Sequence, residues 1–383
     1  MPPNVMPLLY DPFTLLALIL AYIVGFTVLA LMAGYIAPRI AKRFSEKLPL
    51  YASMTIVGLL VVVSGFAGVG LTAYMISGVI GVESTTSMII AILVIVVVLN
   101  AITYINSPLI INIMYNAKPS AQLQEVVNRV AKKLGFAKPP KAVVVRGPPN
   151  AFAYGNFIFG RYVAVSSSLV EITTPEELEA IIGHELGHHK HRDNAIMLFM
   201  GLIPSLLYFL GIMLIRTGIL VGYTRSYSSS RRREGGGGLL LVLTGVVTVV
   251  VSFIVQVLVL AFSRLREYYA DATGAYATTT KAMQRALARI HVYYTQRPAA
   301  LETVSNSKLK ALFIYAFMDT FANPFYRPAL PARDPRNVDV DHVIEQLKKQ
   351  KTEDVSEFFS THPPIPKRIR FLDTLVFYYM QPP

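Results

Sequence analysis

The sequence predicts an α-helical membrane protein that carries a smaller, mainly helical α+β soluble domain with a small β-sheet. Two observations predict it. Several long stretches lack any ionisable residue, and the soluble segments between them alternate helical and strand patterns. Composition agrees: of 383 residues, 53% are hydrophobic and only 15% charged, where a soluble domain carries about 25% charged residues. Mean hydropathy is +0.47. The formal charge of +13 suits anionic lipid headgroups, and no nucleic-acid motif accompanies it, so nucleic acid is not an expected partner. With no cysteine, disulfides, thiolate metal sites and cysteine nucleophiles are all excluded.

Five stretches read as membrane spans. Phe13–Ala37 is too long for a signal-peptide core and lacks the preceding positive residues, so it reads as a retained helix. The others are Ala52–Val82, Met88 to about Ile105 or Met114, Ala195–Ile215 and Leu239–Phe262. This divides the chain into an N-terminal membrane region (1–114, about three helices), a first soluble segment (115–194), a membrane hairpin (195–262) and a second soluble segment (263–383). Arg39, Lys42, Arg43 and Lys47 place the first loop, and hence both soluble segments, in the cytoplasm. Arg225 and Arg231 to Arg233, in the hairpin loop, oppose that orientation. That the two soluble segments share one side needs only an even number of crossings between them.

Within the soluble segments, Ala121–Leu134 has helical spacing and stops at Gly135. Lys141–Arg146 and Arg161–Ser167 read as strands, with NAFAYGNFIFG between them as strand and turn. Thr174, Pro175 and Glu177 form a capping box that opens a helix. Further helices are expected at Thr280–Tyr293 and Val340–Lys349, separated by the Pro-rich loop Asn323–Pro335.

The helix opened by the capping box contains GHELGHHKH, which holds four of the seven histidines. His184 and His188 lie about 40° apart and one turn apart on a helix, the spacing at which two imidazoles bind one zinc ion. Glu185 sits on the adjoining flank, placed to take a proton from an attacking water, as in the H-E-x-x-H arrangement. The alternative is a polar helix face meeting headgroups. His189 points about 140° from His184, onto a solvated face. His191 returns to the His184 face about 10 Å away, too far for one tetrahedral site. A third ligand must come from elsewhere. Glu267, the first carboxylate after the membrane hairpin, lies at a similar distance from the membrane boundary as His188, on the same side. Asp271 follows one turn later, where it could orient a ligating imidazole. The competing reading of Glu267 is a surface pairing with Arg264 or Arg266, worth little energy.

Four pieces in this order, NAFAYG (Asn150–Gly155), GHELGHHKHRD (Gly183–Asp193), SRLREYYAD (Ser263–Asp271) and STHPPIPKRI (Ser360–Ile369), resemble the HtpX-type membrane-integrated zinc metallopeptidases, relatives of the CAAX prenyl proteases. The resemblance covers the chain from Asn150 to its end. It implies a zincin-like metalloprotease domain, one Zn2+ held by His184, His188 and Glu267, and Glu185 as general base. It also implies polypeptide substrates, among them misfolded membrane proteins, handled at the plasma membrane. The sequence departs from the type in two ways: five spans where four are usual, and a longer tract over 277–359.

His362, in THPP, is a further expected donor to the developing oxyanion, with a structural role in the turn as its alternative. Arg368 is expected to pair with a carboxylate. Asn150, Ala151, Phe152 and Ala153 would present a strand edge to an extended peptide, though a plain hairpin explains them too. A CAAX-type prenyl-protein endopeptidase needs a larger helical chamber than five spans supply. The five spans contain no Asp, Glu, Lys, Arg or His, which argues against a transporter. An inactive scaffold predicts a lost ligand or base, and all four residues are present.

Overall fold

The computed structural model describes residues 50–80, 82–226, 236–297, 338–350 and 362–375. The expected first span, the basic loop at 39–47, Arg231 to Arg233 and the Pro-rich loop lie outside the described residues. Among the described residues, four helices are long and apolar enough to cross a membrane: α1 (Leu50–Ile80), α2 (Val82–Met114), and the later α6 (Asp193–Ser226) and α7 (Gly236–Ala277). They coincide with the second to fifth expected spans.

The chain forms two compact units. The first draws on 1–99 and 200–259. Its interior is a cluster of Ile76, Ile92, Val96, Leu206, Leu210, Leu214 and Leu241. Thr72 and Thr248 share a buried hydrogen bond at 3.0 Å. Small residues allow backbones to close up: a Cβ on Gly211 would lie 2.8 Å from Gly245 O. Its outward side chains are large and apolar, with Phe66 70% and Tyr74 80% exposed, a surface suited to acyl chains rather than water.

The second unit draws on 100–199 and 260–383. A four-stranded sheet comprises β1 (Lys118–Pro119), β2 (Lys141–Val145), β3 (Ala151–Asn156) and β4 (Gly160–Ser166), in the order β1-β2-β4-β3. β2 and β4 run parallel; the other two pairs are antiparallel. Strand alternation gives the sheet two buried faces. Ala142, Ala151, Val163 and Val165 join the main core with α3 (Ala121–Lys133), α4 (Ser167–Ile172), α5 (Pro175–Lys190), α8 (Thr280–Gln296), α9 (Val340–Lys349) and α10 (Ile365–Asp373). Val143, Val145, Phe152, Tyr154 and Ala164 pack on the other face with Ile111 of α2. β3 is therefore an outer strand that is covered on both faces yet open along one edge among the described residues.

Candidate metal centre

The metal-site helix α5 is fixed at its start and buried along its length. Thr174 Oγ1 accepts from the Glu177 N–H at 3.3 Å and Glu177 Oε2 accepts from the Thr174 N–H at 2.9 Å, the reciprocal cap the sequence predicts. Arg289 of α8 donates to both oxygens of the same carboxylate, at 2.7 and 2.9 Å, so cap and helix packing share one buried group. α5 crosses α7 at very short range. A Cβ on Gly183 would lie 2.9 Å from Ala277 Cβ, and one on Gly274 only 2.6 Å from Ala180 O. That approach sets His184 and His188 opposite Glu267 and Asp271.

Among the described residues, His184, His188 and Glu267 form a group whose ligand atoms lie within 4.8 Å of one another. His184 Nε2 and His188 Nε2 are 3.2 Å apart. Glu267 Oε1 is 3.5 Å from the second and Oε2 3.7 Å from the first. Ligand atoms about 2.0–2.2 Å from a tetrahedral zinc lie about 3.3–3.6 Å from each other, so the spacing fits. The donor chemistry fits too. His184 Nδ1 faces Asp271 Oδ1 at 2.9 Å and His188 Nδ1 faces Asp193 Oδ2 at 2.6 Å. With a carboxylate beside each Nδ1, each Nε2 can keep its lone pair for a cation.

Each carboxylate is in turn held by an arginine. Arg368 donates through Nε at 2.8 Å and Nη2 at 2.6 Å to the two oxygens of Asp271. Arg266 Nη2 meets Asp193 Oδ2 at 2.7 Å. Burial alone would lower His188, but the hydrogen bond to Asp193 and the charges of Glu267, Asp193 and Glu185 outweigh it and raise its pKa to about 9. The pocket thus favours positive charge at that imidazole.

Glu185 is 3% exposed. Burial raises its carboxyl above the usual range, against the opposing pull of His184, His188 and a backbone hydrogen bond from Ala153. Ala153 lies on β3. The Ser166 N–H donates to Asn150 O at 2.8 Å, and antiparallel ladders alternate, so the backbone groups of Ala151 and Ala153 point to the open edge. The structure therefore brings Ala153 beside Glu185, with Asn150, Ala151 and Phe152 on the same strand or its threshold. Phe152 itself turns its ring inward, 5.5 Å from that of Tyr154.

His362 reaches the site: its Nδ1 is 2.7 Å from Glu267 Oε2. Two expectations change. His189 is not solvated; it is buried and its Nε2 lies 2.8 Å from Tyr162 O, because the sheet covers the face of α5 that a helical wheel leaves open. Burial lowers its pKa to about 4. Arg266 pairs with Asp193, the residue sequence reasoning missed, rather than with Glu267. The chain reverses after α5 through His191 and Arg192, the latter at φ 55°, which returns Asp193 to His188. His191 stands edge-on to Tyr269, ring centroids 4.2 Å apart.

Residues 117–376 match the model of peptidase family M48. A protein of Pyrobaculum islandicum called Protease HtpX homolog is 48% identical over 92% of this chain and 96% of its own. Proteins of the same name from Pyrobaculum calidifontis and Archaeoglobus fulgidus are 45% and 44% identical, over 92% and 96% of this chain and 96% and 98% of their own. With a family match over most of its length, relatives aligned nearly end to end, and four helices able to span a bilayer, the chain belongs to peptidase family M48 and is a multi-pass membrane metalloendopeptidase.

Proposed function

We propose that His184, His188 and Glu267 hold one zinc ion and that Glu185 is the general base of peptide hydrolysis. The observation that carries this is the convergence of two imidazole Nε2 atoms and a carboxylate on one point, each imidazole with its own aspartate beside Nδ1. Zinc bound there supplies Lewis acidity, which acidifies water and polarises a peptide carbonyl. Glu185 takes the proton from the attacking water and returns it to the leaving amine. Its raised carboxyl suits a group that must both accept and give back a proton. His362, whose Nδ1 lies 2.7 Å from Glu267 Oε2, stands beside the ligand group as the proposed hydrogen-bond donor to a developing oxyanion. Asn150 to Ala153 present an edge for an extended peptide, which adds as a strand with weak sequence preference. The Ala153 N–H ties that edge to Glu185.

The segments 115–194 and 263–383 make up the catalytic domain, interrupted by the 195–262 hairpin, on the cytoplasmic face of the plasma membrane. The basic residues between the first two spans support that side. The substrates are polypeptides, with misfolded membrane proteins the physiological class. The relatives called Protease HtpX homolog and the open strand edge, which reads backbone rather than sequence, support polypeptide substrates with little sequence preference.

The test is cleavage of an unfolded model protein in detergent by the native chain and by Glu185→Gln, each with and without chelator and added zinc. Loss of the base should slow cleavage by about 10²- to 10⁴-fold while zinc stays bound one to one. A protein that binds no zinc refutes the ligand set; a Glu185→Gln variant as fast as the native chain refutes the base.

A further inference from the structure

The turn between β3 and β4 carries Phe157 and Ile158, 83% and 51% exposed, with Phe159 beside them. Two bare apolar side chains at a hairpin tip need a reason. Asn156 supplies one by fixing where the tip lies. Its Oδ1 accepts from the N–H groups of Ile158 and Phe159, at 3.0 and 2.8 Å, which shapes the turn. Its Nδ2 donates to Tyr104 O and Ile105 O of α2, at 2.8 and 2.9 Å. The first carbonyl lacks its helical partner, because Pro108, four residues on, has no N–H to give it, and it accepts from Ser107 Oγ at 2.9 Å as well as from Asn156. All the bonding capacity of the buried Asn156 amide is thus spent on locking the hairpin to one level of α2.

The apolar stretch of α2 runs from Thr86 to Met114, longer than one hydrocarbon core needs. A core of roughly 30 Å that starts at Thr86 ends near Tyr104, about 27 Å along the helix. Asn106, Ser107 and Asn112 follow. Tyr104, at the boundary, lies 6.5 Å from the Phe157 ring, as aromatic residues gather at the interface. The adjoining exposed residues of α2, Ile102 and Leu109, continue the apolar strip. Two exposed cations lie on the adjoining strands and could meet headgroup phosphates: Arg161, beside the turn, and Lys141, whose Nζ lies 5.4 Å from the Tyr162 ring.

We propose that the β3–β4 tip, Phe157 and Ile158, inserts into the bilayer interface and holds the catalytic sheet against the membrane. β3 then runs from the bilayer surface to Glu185, with Ala153 about 10 Å of strand from Asn156. Resting on the peptidase reading above, this makes the substrate class polypeptide still attached to the membrane, engaged at its juxtamembrane stretch.

The chain has no tryptophan, so Phe157→Trp introduces a single indole. In the Glu185→Gln background, the full chain is reconstituted into phosphatidylcholine vesicles, with or without brominated acyl chains, and quenched from the water with iodide. Lys132→Trp, on the exposed face of α3, is the aqueous control. Insertion predicts that bromolipid removes more than half of the emission of the Phe157→Trp protein and iodide little, with the reverse for the control. Asn156→Ala should then weaken the bromolipid effect. Quenching by iodide alone overturns the proposal, and protection from both quenchers overturns it by placing the tip against protein. These readings need no peptidase activity, so the peptidase reading can fail without them. For substrate class, Phe157→Asp/Ile158→Asp should slow cleavage of a single-span anchored reporter several-fold and leave a soluble unfolded protein unaffected; equal loss on both overturns it.

Discussion

The two histidines of the metal helix are held by arms of similar chemistry and different construction. On the His184 side, Asp271 and Arg368 form a bidentate pair in which every member is at most 1% exposed. On the His188 side, Asp193 receives one contact from Arg266, through Nη2, and the imidazole is 15% exposed. The first arm joins α5, α7 and α10. The second joins α5 to the turn that launches α6 and to α7. The same His-carboxylate-Arg relay thus serves as core structure on one side and as a lighter brace on the other, and substitutions should separate these roles.

The largest effect is expected at Asp271. Changing it to Asn removes the bidentate counter-charge of the fully buried Arg368 guanidinium and leaves only the Glu267 carboxylate, 3.9 Å away; breaking a buried pair costs about 3–5 kcal/mol. It should also weaken zinc binding by about 10- to 100-fold through loss of the imidazole's partner. Thermal unfolding in detergent and a zinc-competition titration read the two effects separately. Asp193→Asn should match the loss in zinc affinity but show the smaller loss of stability. Equal melting-temperature drops would erase the distinction between the arms. The arginines sharpen it further: Arg368→Lys loses a two-point fork, while Arg266→Lys replaces a single contact, so only the first should destabilise the protein markedly.

The arms also differ in how far the sequence revealed them. Asp271 was legible because it follows Glu267 by one turn on a helix, where spacing alone fixes direction. Asp193 was not, because it reaches His188 across a chain reversal at Arg192, and helical periodicity stops at the end of α5. His189 misled for a related reason: a wheel gives its angle but not what packs there, and the sheet order that brings Tyr162 over it is a long-range fact. The facing of His184 and His188, the capping box at Thr174 and the extent of α9 were legible because local spacing determines them; Glu267 was placed near them by the even number of crossings between the soluble segments, not by spacing. The crossing of α5 and α7 left a sequence trace in Gly183 and Gly274, readable only once both helices are known to touch.

Protonation distinguishes the metal face of α5 from its sheet face. His188 is raised to about 9, so in the metal-free protein its contribution to stability is fully present below about pH 6.5 and lost as pH rises through 9. His189 and His291 are lowered by burial to about 4. Both contribute fully above about pH 6.5, and that contribution is lost as pH falls toward 4, on the order of 3 kcal/mol for each. The metal-free chain should therefore destabilise at both ends of this range. Zinc competes with the His188 proton, so its affinity should climb with pH up to about 9. Unfolding scans from pH 4 to 9.5, with and without chelator, check both limbs. His189→Asn should relieve part of the acid limb and leave the alkaline limb in place.

The smallest effect concerns the crossing that brings the arms together. A methyl at Gly183 would meet Ala277 Cβ at 2.9 Å and Gly274 Cα at 3.0 Å, and neither neighbour is the far end of a flexible side chain. The helices must part slightly, at a cost of about 1–3 kcal/mol. Since His184 follows directly and its partners sit on the opposite helix, the separation should lengthen the His184–Asp271 contact more than the His188–Asp193 contact, whose aspartate opens α6 just after α5. Gly183→Ala should therefore weaken zinc binding modestly. Because the variant has already strained the His184 side, adding Asp271→Asn to it should cost less further affinity than Asp271→Asn costs in the native chain, while Asp193→Asn should cost its full amount. A double-mutant cycle in zinc affinity measures this directly. Equal coupling of Gly183→Ala to both aspartates would mean that the crossing supports the pocket as a whole and that the two arms are not mechanically distinct.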